Sequence, residues 1–226
     1  MRRAGGSDDA ARGALEELCA TYWPAVYALY RREGLDPEAA RDLTQGLLLD
    51  LLQREDFGRA DPARGRFRSF LRGCARHYLA NRREHEGALK RGGGRAIESL
   101  DIGTEERIHA PEPVDAMDPD AIFERRWAIA VLDTALAAVQ REETECGRGR
   151  LFAVLRPILE GESLPQPYAE LAAELGTSEG ALRVTAHRLR QRFRRRLLEE
   201  VGHTLDRPEL LGDELDQLLG ALRAGR

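Results

Sequence analysis

Lysine is almost missing from this 226-residue chain: Lys90 is the single lysine among 35 basic residues. A GC-rich genome produces the same bias, so the arginines identify nothing by number alone. Cysteine is scarce too. Cys19, Cys74 and Cys146 lie far apart with no paired spacing, which suggests neither a disulfide framework nor a cysteine-type zinc site. No apolar run is long enough for a membrane span. Residues 1–14 are small and charged without a hydrophobic stretch, unlike a secretory signal, so a cytoplasmic location is expected. Strand signals are few, with little period-two alternation and no Asn-Gly or Asp-Gly turn. Catalytic patterns are absent as well. No Ser/His/Asp order or paired acid–base spacing stands out, and Gly92-Gly-Gly94 lacks the strand and helix start of a phosphate cradle. Neither an enzyme nor a cofactor is expected.

What remains is apolar residues at 42% and charged residues at 33%, enough for a core but favouring small helical domains over one large sheet protein. The net charge of −4 hides a segregation. Residues 64–83 hold seven arginines and no acid, and residues 179–196 hold seven arginines against Glu179. Residues 98–124 hold nine acids against Arg107, and residues 199–216 hold seven against Arg207. One basic block reads equally well as a solvated helix face; two separate blocks point to nucleic acid.

Helical periodicity dominates. Leu15, Leu18, Cys19, Tyr22, Val26, Leu29 and Tyr30 form a first stripe, which Pro24 is expected to kink or split and Gly34 to end. Asp36, Pro37 and Glu38 mark the start of a second helix. Its apolar stripe, Ala40, Leu43, Leu47 and Leu51, is widened by Leu48, Leu49 and Leu52 beyond one face, which suits a deep core or a partner. A third helix, about 67–85, buries Phe67, Phe70, Leu71, Cys74, Tyr78 and Leu79. Arg68, Arg72, Arg76 and Arg83 recur on another side near a four-residue period. Like charges at that spacing repel, so something negative should face them, and phosphates are the obvious candidate. Residues 86–119 read as a flexible acidic linker. From Asp120 a helix resumes with Trp127, Ile129, Val131, Leu132, Leu136 and Val139, and a further helix over about 149–160 offers Leu151, Phe152, Leu155 and Ile158.

Residues 168–190 fit a helix-turn-helix. Leu171, Ala172 and Leu175 give the first helix an inner face, Gly176 suits the turn and Ser178 can cap the second helix. Leu182, Ala186, Leu189 and Phe193 continue the inner face, leaving Arg183, His187, Arg188 and Arg190 outside. Such a helix enters a major groove, where arginine donates two bonds to guanine.

Two stretches then resemble a known family, the extracytoplasmic-function (ECF) sigma factors of bacterial RNA polymerase. Asp36–Asn81, with Asp42-Leu-Thr-Gln45 and Phe67-Arg-Ser-Phe-Leu-Arg72, is similar to region two. Tyr168–Leu197, with Ser178-Glu-Gly180 and His187-Arg-Leu-Arg190, is similar to region four, and the order and separation also fit. The resemblance implies that Asp42, Leu43, Gln45, Leu47, Leu48 and Leu51 bind the core polymerase or support that contact. It implies that the 56–66 loop with Arg66, Arg68, Arg72, Arg76, Asn81 and Arg82 recognises and opens the −10 element. It implies that Ser178, Glu179, Arg183, Thr185, His187 and Arg188 read the −35 element. Many relatives carry arginine or lysine where this chain has Thr185. The acidic linker would lie in the polymerase channel. Core RNA polymerase and promoter DNA are the implied partners, with an anti-sigma factor or other regulator as a further one, at one copy per polymerase.

The expected architecture is all-α: a tail (1–14), a region-two-like domain (15–85), a flexible linker (86–119), a region-four-like helix-turn-helix domain (120–198) and an acidic helical extension (199–226). The extension carries Leu205, Leu210, Leu211, Leu215, Leu218, Leu219 and Leu222, and is expected to pack on the DNA-binding domain or screen its arginines. Promoter-directed initiation is the leading function. A stand-alone helix-turn-helix regulator and a helical protein-interaction module are the rivals. Cys74-x-x-His77 with His85 lacks a fourth metal ligand, and Cys74 falls on the buried stripe.

Overall fold

The computed structural model describes residues 20–53, 67–89, 117–205 and 207–224, and every regular element among them is a helix. The expected tail 1–14, Arg66 with the rest of the 56–66 loop, and residues 90–116 of the expected linker lie outside the described residues, whereas residues 86–89, also expected in the linker, continue a helix. The chain divides into two compact units: Met1–Ala130 with Thr204–Arg226, and Val131–His203.

The first unit begins with α1 (residues 20–32), which buries Tyr22, Trp23, Val26, Leu29 and Tyr30. Pro24 neither ends nor splits it; the backbone bond it forfeits would have reached back only to Ala20, at the edge of the described residues. Gly34, at φ 91°, closes the helix. Its N–H donates to Arg31 O at 3.2 Å and the Leu35 N–H to Tyr30 O at 3.2 Å, the paired bonds of a left-handed C-terminal cap. Helix α2 (Pro37–Gln53) starts where Asp36 Oδ1 accepts from the Ala39 N–H at 2.8 Å, with Pro37 first in the helix. Ala40, Leu43, Leu47, Leu48 and Leu51 are buried.

Helix α3 (Phe67–Leu89) buries Leu71, Ala75 and Leu79, while Phe67, Phe70, Cys74 and Tyr78 are half-buried. Tyr30 Oη donates to Ala75 O at 3.0 Å, fixing α1 against α3. A Cβ on Gly46 would stand 2.7 Å from Tyr78 Oη, so glycine is what lets α2 and α3 approach there. Gly46→Ala is expected to cost about 1–3 kcal/mol in urea unfolding. Tyr78→Phe, which removes the clashing oxygen, should restore most of that loss; an unchanged midpoint in Gly46→Ala would show that the ring simply moves.

Helix α4 (Pro119–Glu145) contributes Phe123, Trp127 and Ala128 to the first unit, and Val131, Ala135, Leu136 and Val139 to the second. Ile129 and Leu132, expected in the core, are half-buried. The second unit adds α5 (Gly149–Leu155), a single 3-10 turn from Arg156 to Ile158, α6 (Tyr168–Glu174) and α7 (Glu179–His203). Its core gathers Leu136, Val139, Phe152, Leu155, Leu171, Ala172, Leu182, Ala186 and Leu189. Each buried leucine contributes about 1.5–3 kcal/mol. Helix α7 passes the expected boundary at 198, because no proline intervenes before Pro208. Helix α8 (Leu211–Arg223) then belongs with the first unit, not with the second as the sequence suggested.

Candidate nucleic-acid interface

The site with an open face is built by α6, its turn and α7. Leu171 and Ala172 of α6 pack on Leu182, Ala186 and Leu189 of α7. Between the helices Gly176 takes φ 64°, a conformation that side chains disfavour, and the Thr177 N–H donates to Ala172 O at 2.9 Å. Ser178 Oγ accepts from the Ala181 N–H at 3.2 Å, capping α7 as its position suggested.

At 3.6 residues per turn, the side of α7 opposite this core carries Gly180, Val184, His187, Arg188, Gln191, Arg194 and Arg195, all exposed. Glu179 and Arg183 pair at 2.7 Å, and the Arg183 guanidinium lies 4.5 Å from the Tyr168 ring centroid. His187 and Gln191 share a 3.0 Å hydrogen bond. Thr185 is half-buried and donates to Ala181 O at 2.9 Å, so its hydroxyl is already engaged with the helix itself. Val184 stands 50% exposed among these polar groups, off the Leu182, Ala186 and Leu189 stripe by the helical period.

The arginines of α7 are not equivalent. Arg192 pairs with Glu143 of α4, which also accepts from Arg148 at 2.6 Å. Arg196 pairs with Glu142 and, at 2.7 Å, with Glu199; these carboxylates hold its guanidinium more firmly charged. Arg188, Arg190 and Arg194 are exposed, and none makes an ion pair among the described residues.

No family model matches the chain, and no curated protein or solved structure matches it either. The geometry of its own residues therefore carries the reading. Among the described residues, no helix is long and apolar enough to cross a membrane, and no group of three or more His, Cys, Asp and Glu could hold a metal ion.

The basic row of α3 is placed very differently from expectation. Arg68 is 2% exposed. Its Nη1 lies 2.6 Å from Glu124 Oε2 of α4, and its Nη2 donates to Glu214 Oε2 at 3.2 Å and to Gln217 Oε1 at 2.5 Å on α8. The guanidinium lies 4.1 Å from the Trp127 ring centroid. Arg72 donates to Glu124 Oε1 at 3.0 Å, and Arg76 pairs with Asp120 at 2.8 Å. Arg83 pairs with Glu33. The negative groups that face this row are thus carboxylates of the same chain. Burial pushes the Glu124 carboxyl up from its usual range, against the lowering pull of Arg68 and Arg72; Glu214 and Asp120 push it further up.

Of the residues expected at the −10 element, Arg68 is accordingly sealed and Arg72 half-buried, while Arg76, Asn81 and Arg82 are exposed. Of those expected to bind polymerase, Leu43, Leu47, Leu48 and Leu51 are core residues at 6% exposure or less and cannot touch a partner directly. Their width around α2 reflects burial against neighbouring helices. Asp42 is exposed and Gln45 half-buried, so these two keep a surface. The −35 set is the one that stays together: Ser178, Glu179, Arg183, His187 and Arg188 share the solvent side of one helix start. The partners of α3 had a faint sequence signal. Asp120 and Glu124 repeat at the same four-residue step as Arg68, Arg72 and Arg76.

Proposed function

We propose that the chain is a DNA-binding transcription initiation factor of the sigma type, with α6 and α7 as its helix-turn-helix. One observation carries the reading: α7 buries one side in its unit and leaves the other side exposed, with Arg188, Arg190 and Arg194 unpaired among the described residues. Such a face suits a major groove. Arg188 can donate to a guanine edge, and Val184 offers an apolar contact for a thymine methyl. The likeness of Asp42-Leu-Thr-Gln45 to region two adds core polymerase as the partner, through the exposed Asp42 side of α2.

A second reading, a stand-alone DNA-binding regulator, is favoured by the internal pairing of Arg68, Arg72 and Arg76, which leaves α3 few free cations. Run-off transcription with purified core polymerase separates the two. A specific start site supports the sigma reading; duplex binding without stimulation of the polymerase supports the regulator. In either case Arg188→Ala should weaken duplex binding by about 1–3 kcal/mol at the site it reads, or lower the salt slope by about one if it holds a phosphate. Unchanged affinity and slope, measured by fluorescence anisotropy on a selected duplex, would remove Arg188 from the interface.

A further inference from the structure

We infer that α8 is a displaceable anionic cover on Arg68, the first of the arginine row of α3, occupying the place of a single-stranded nucleic-acid backbone. The choice of nucleic acid as the competing anion rests on the DNA-binding reading above; the cover itself rests on contacts within the first unit.

Arg68, Arg72 and Arg76 stand at one-turn steps on α3, and each meets at least one carboxylate. Two of these acids, Asp120 and Glu124, belong to α4. The third, Glu214, comes from α8, 146 residues along the chain from Arg68. Glu214 is 1% exposed and Leu218, one turn further on, is 0% exposed, so one side of α8 is pressed onto the unit. The centre of this contact is polar: Glu214 and Gln217 both accept from Arg68 Nη2. A buried ion pair adds little net stability over an apolar contact of the same shape, because both charges lose water. Another anion reaching Arg68 would compensate it equally well.

Helix α8 is also built to leave. It has thirteen residues, about the length at which an isolated helix is marginal in water, so its order depends on docking. It joins the rest of the chain through a short 3-10 turn at Pro208–Leu210. It carries Asp213, Glu214 and Asp216 against Arg223, a net negative element laid on a positive row. Lifting it uncovers Arg68 and leaves the α3 row one carboxylate short. Opening of this kind draws on the weakly held end of a fold's local stabilities.

The test uses the full chain and a fluorescent oligothymidylate. Leu218→Ala weakens the docking of α8 without touching a charge. It should bind the oligonucleotide about fivefold or more tighter than the parent chain, since the competent form becomes more populated. Changing Arg72 and Arg76 together to alanine in that background should abolish the gain. In the parent chain the oligonucleotide should speed hydrogen exchange over residues 211–223 and slow it over 67–76, a readout that needs no variant. Equal affinities of parent and Leu218→Ala, unchanged or slowed exchange over α8, or no binding by either chain would overturn the proposal. Duplex binding that depends on Arg188 would stand through any of these, so the two readings fail separately.

Discussion

Arg68→Ala is expected to destabilise the first unit by about 3–5 kcal/mol, far more than a surface arginine, because the change removes the buried cation that faces Glu124 and Glu214. Arg68 is almost fully buried, meets both carboxylates and covers the Trp127 ring, so the loss includes packing as well as charge. Adding Glu214→Gln should recover part of the stability by removing a buried carboxylate charge that Arg68 had compensated, while Glu124 keeps its pair with Arg72. Arg83→Ala, which breaks a half-exposed pair with Glu33, should cost less than about 1 kcal/mol. Urea denaturation followed by circular dichroism reads all of these. Equal midpoints for Arg68→Ala and Arg83→Ala would mean that water reaches Arg68 freely.

Leu48→Glu should unfold the first unit outright, with a loss of more than about 4 kcal/mol. It exchanges a buried apolar side chain for a carboxylate of similar size that has no partner provided for it. Leu48 is 1% exposed. The variant therefore cannot report on polymerase binding, because lost affinity would follow from lost structure. Asp42→Ala, on the exposed side of the same helix, is the informative change. It should leave the urea midpoint in place while weakening capture of core polymerase. A folded, cooperative Leu48→Glu would show that α2 is turned by part of a rotation from the arrangement described.

Much of the fold was legible because the signals were local. Asp36 and Pro37 start α2, Gly34 and Gly176 sit where positive φ is needed, and Leu182, Ala186 and Leu189 mark the inner side of α7. These follow from backbone geometry and helical period within a few residues. The fate of α3 was not legible in the same way. Its arginines form the regular stripe expected of a nucleic-acid face, but their partners lie 52 residues away at Glu124 and 146 away at Glu214. A helical period tells which residues share a side; it does not tell what that side meets. The width of the apolar stripe on α2 suited a deep core or a partner alike, and Leu47, Leu48 and Leu51 are buried. The boundary expected at 198 followed the end of the region-four likeness, and the end of a likeness does not stop a helix.

The uneven pairing along α7 has a consequence for how hard it could hold a duplex. Arg183, Arg192, Arg195 and Arg196 already spend their charge on carboxylates, leaving Arg188, Arg190 and Arg194 to displace counterions. Three neutralised phosphates give a logarithmic salt dependence of only about −3. A helix so lightly armed makes a poor solitary clamp at cellular ionic strength. It is better suited to choosing among sequences once a larger assembly has brought it alongside them.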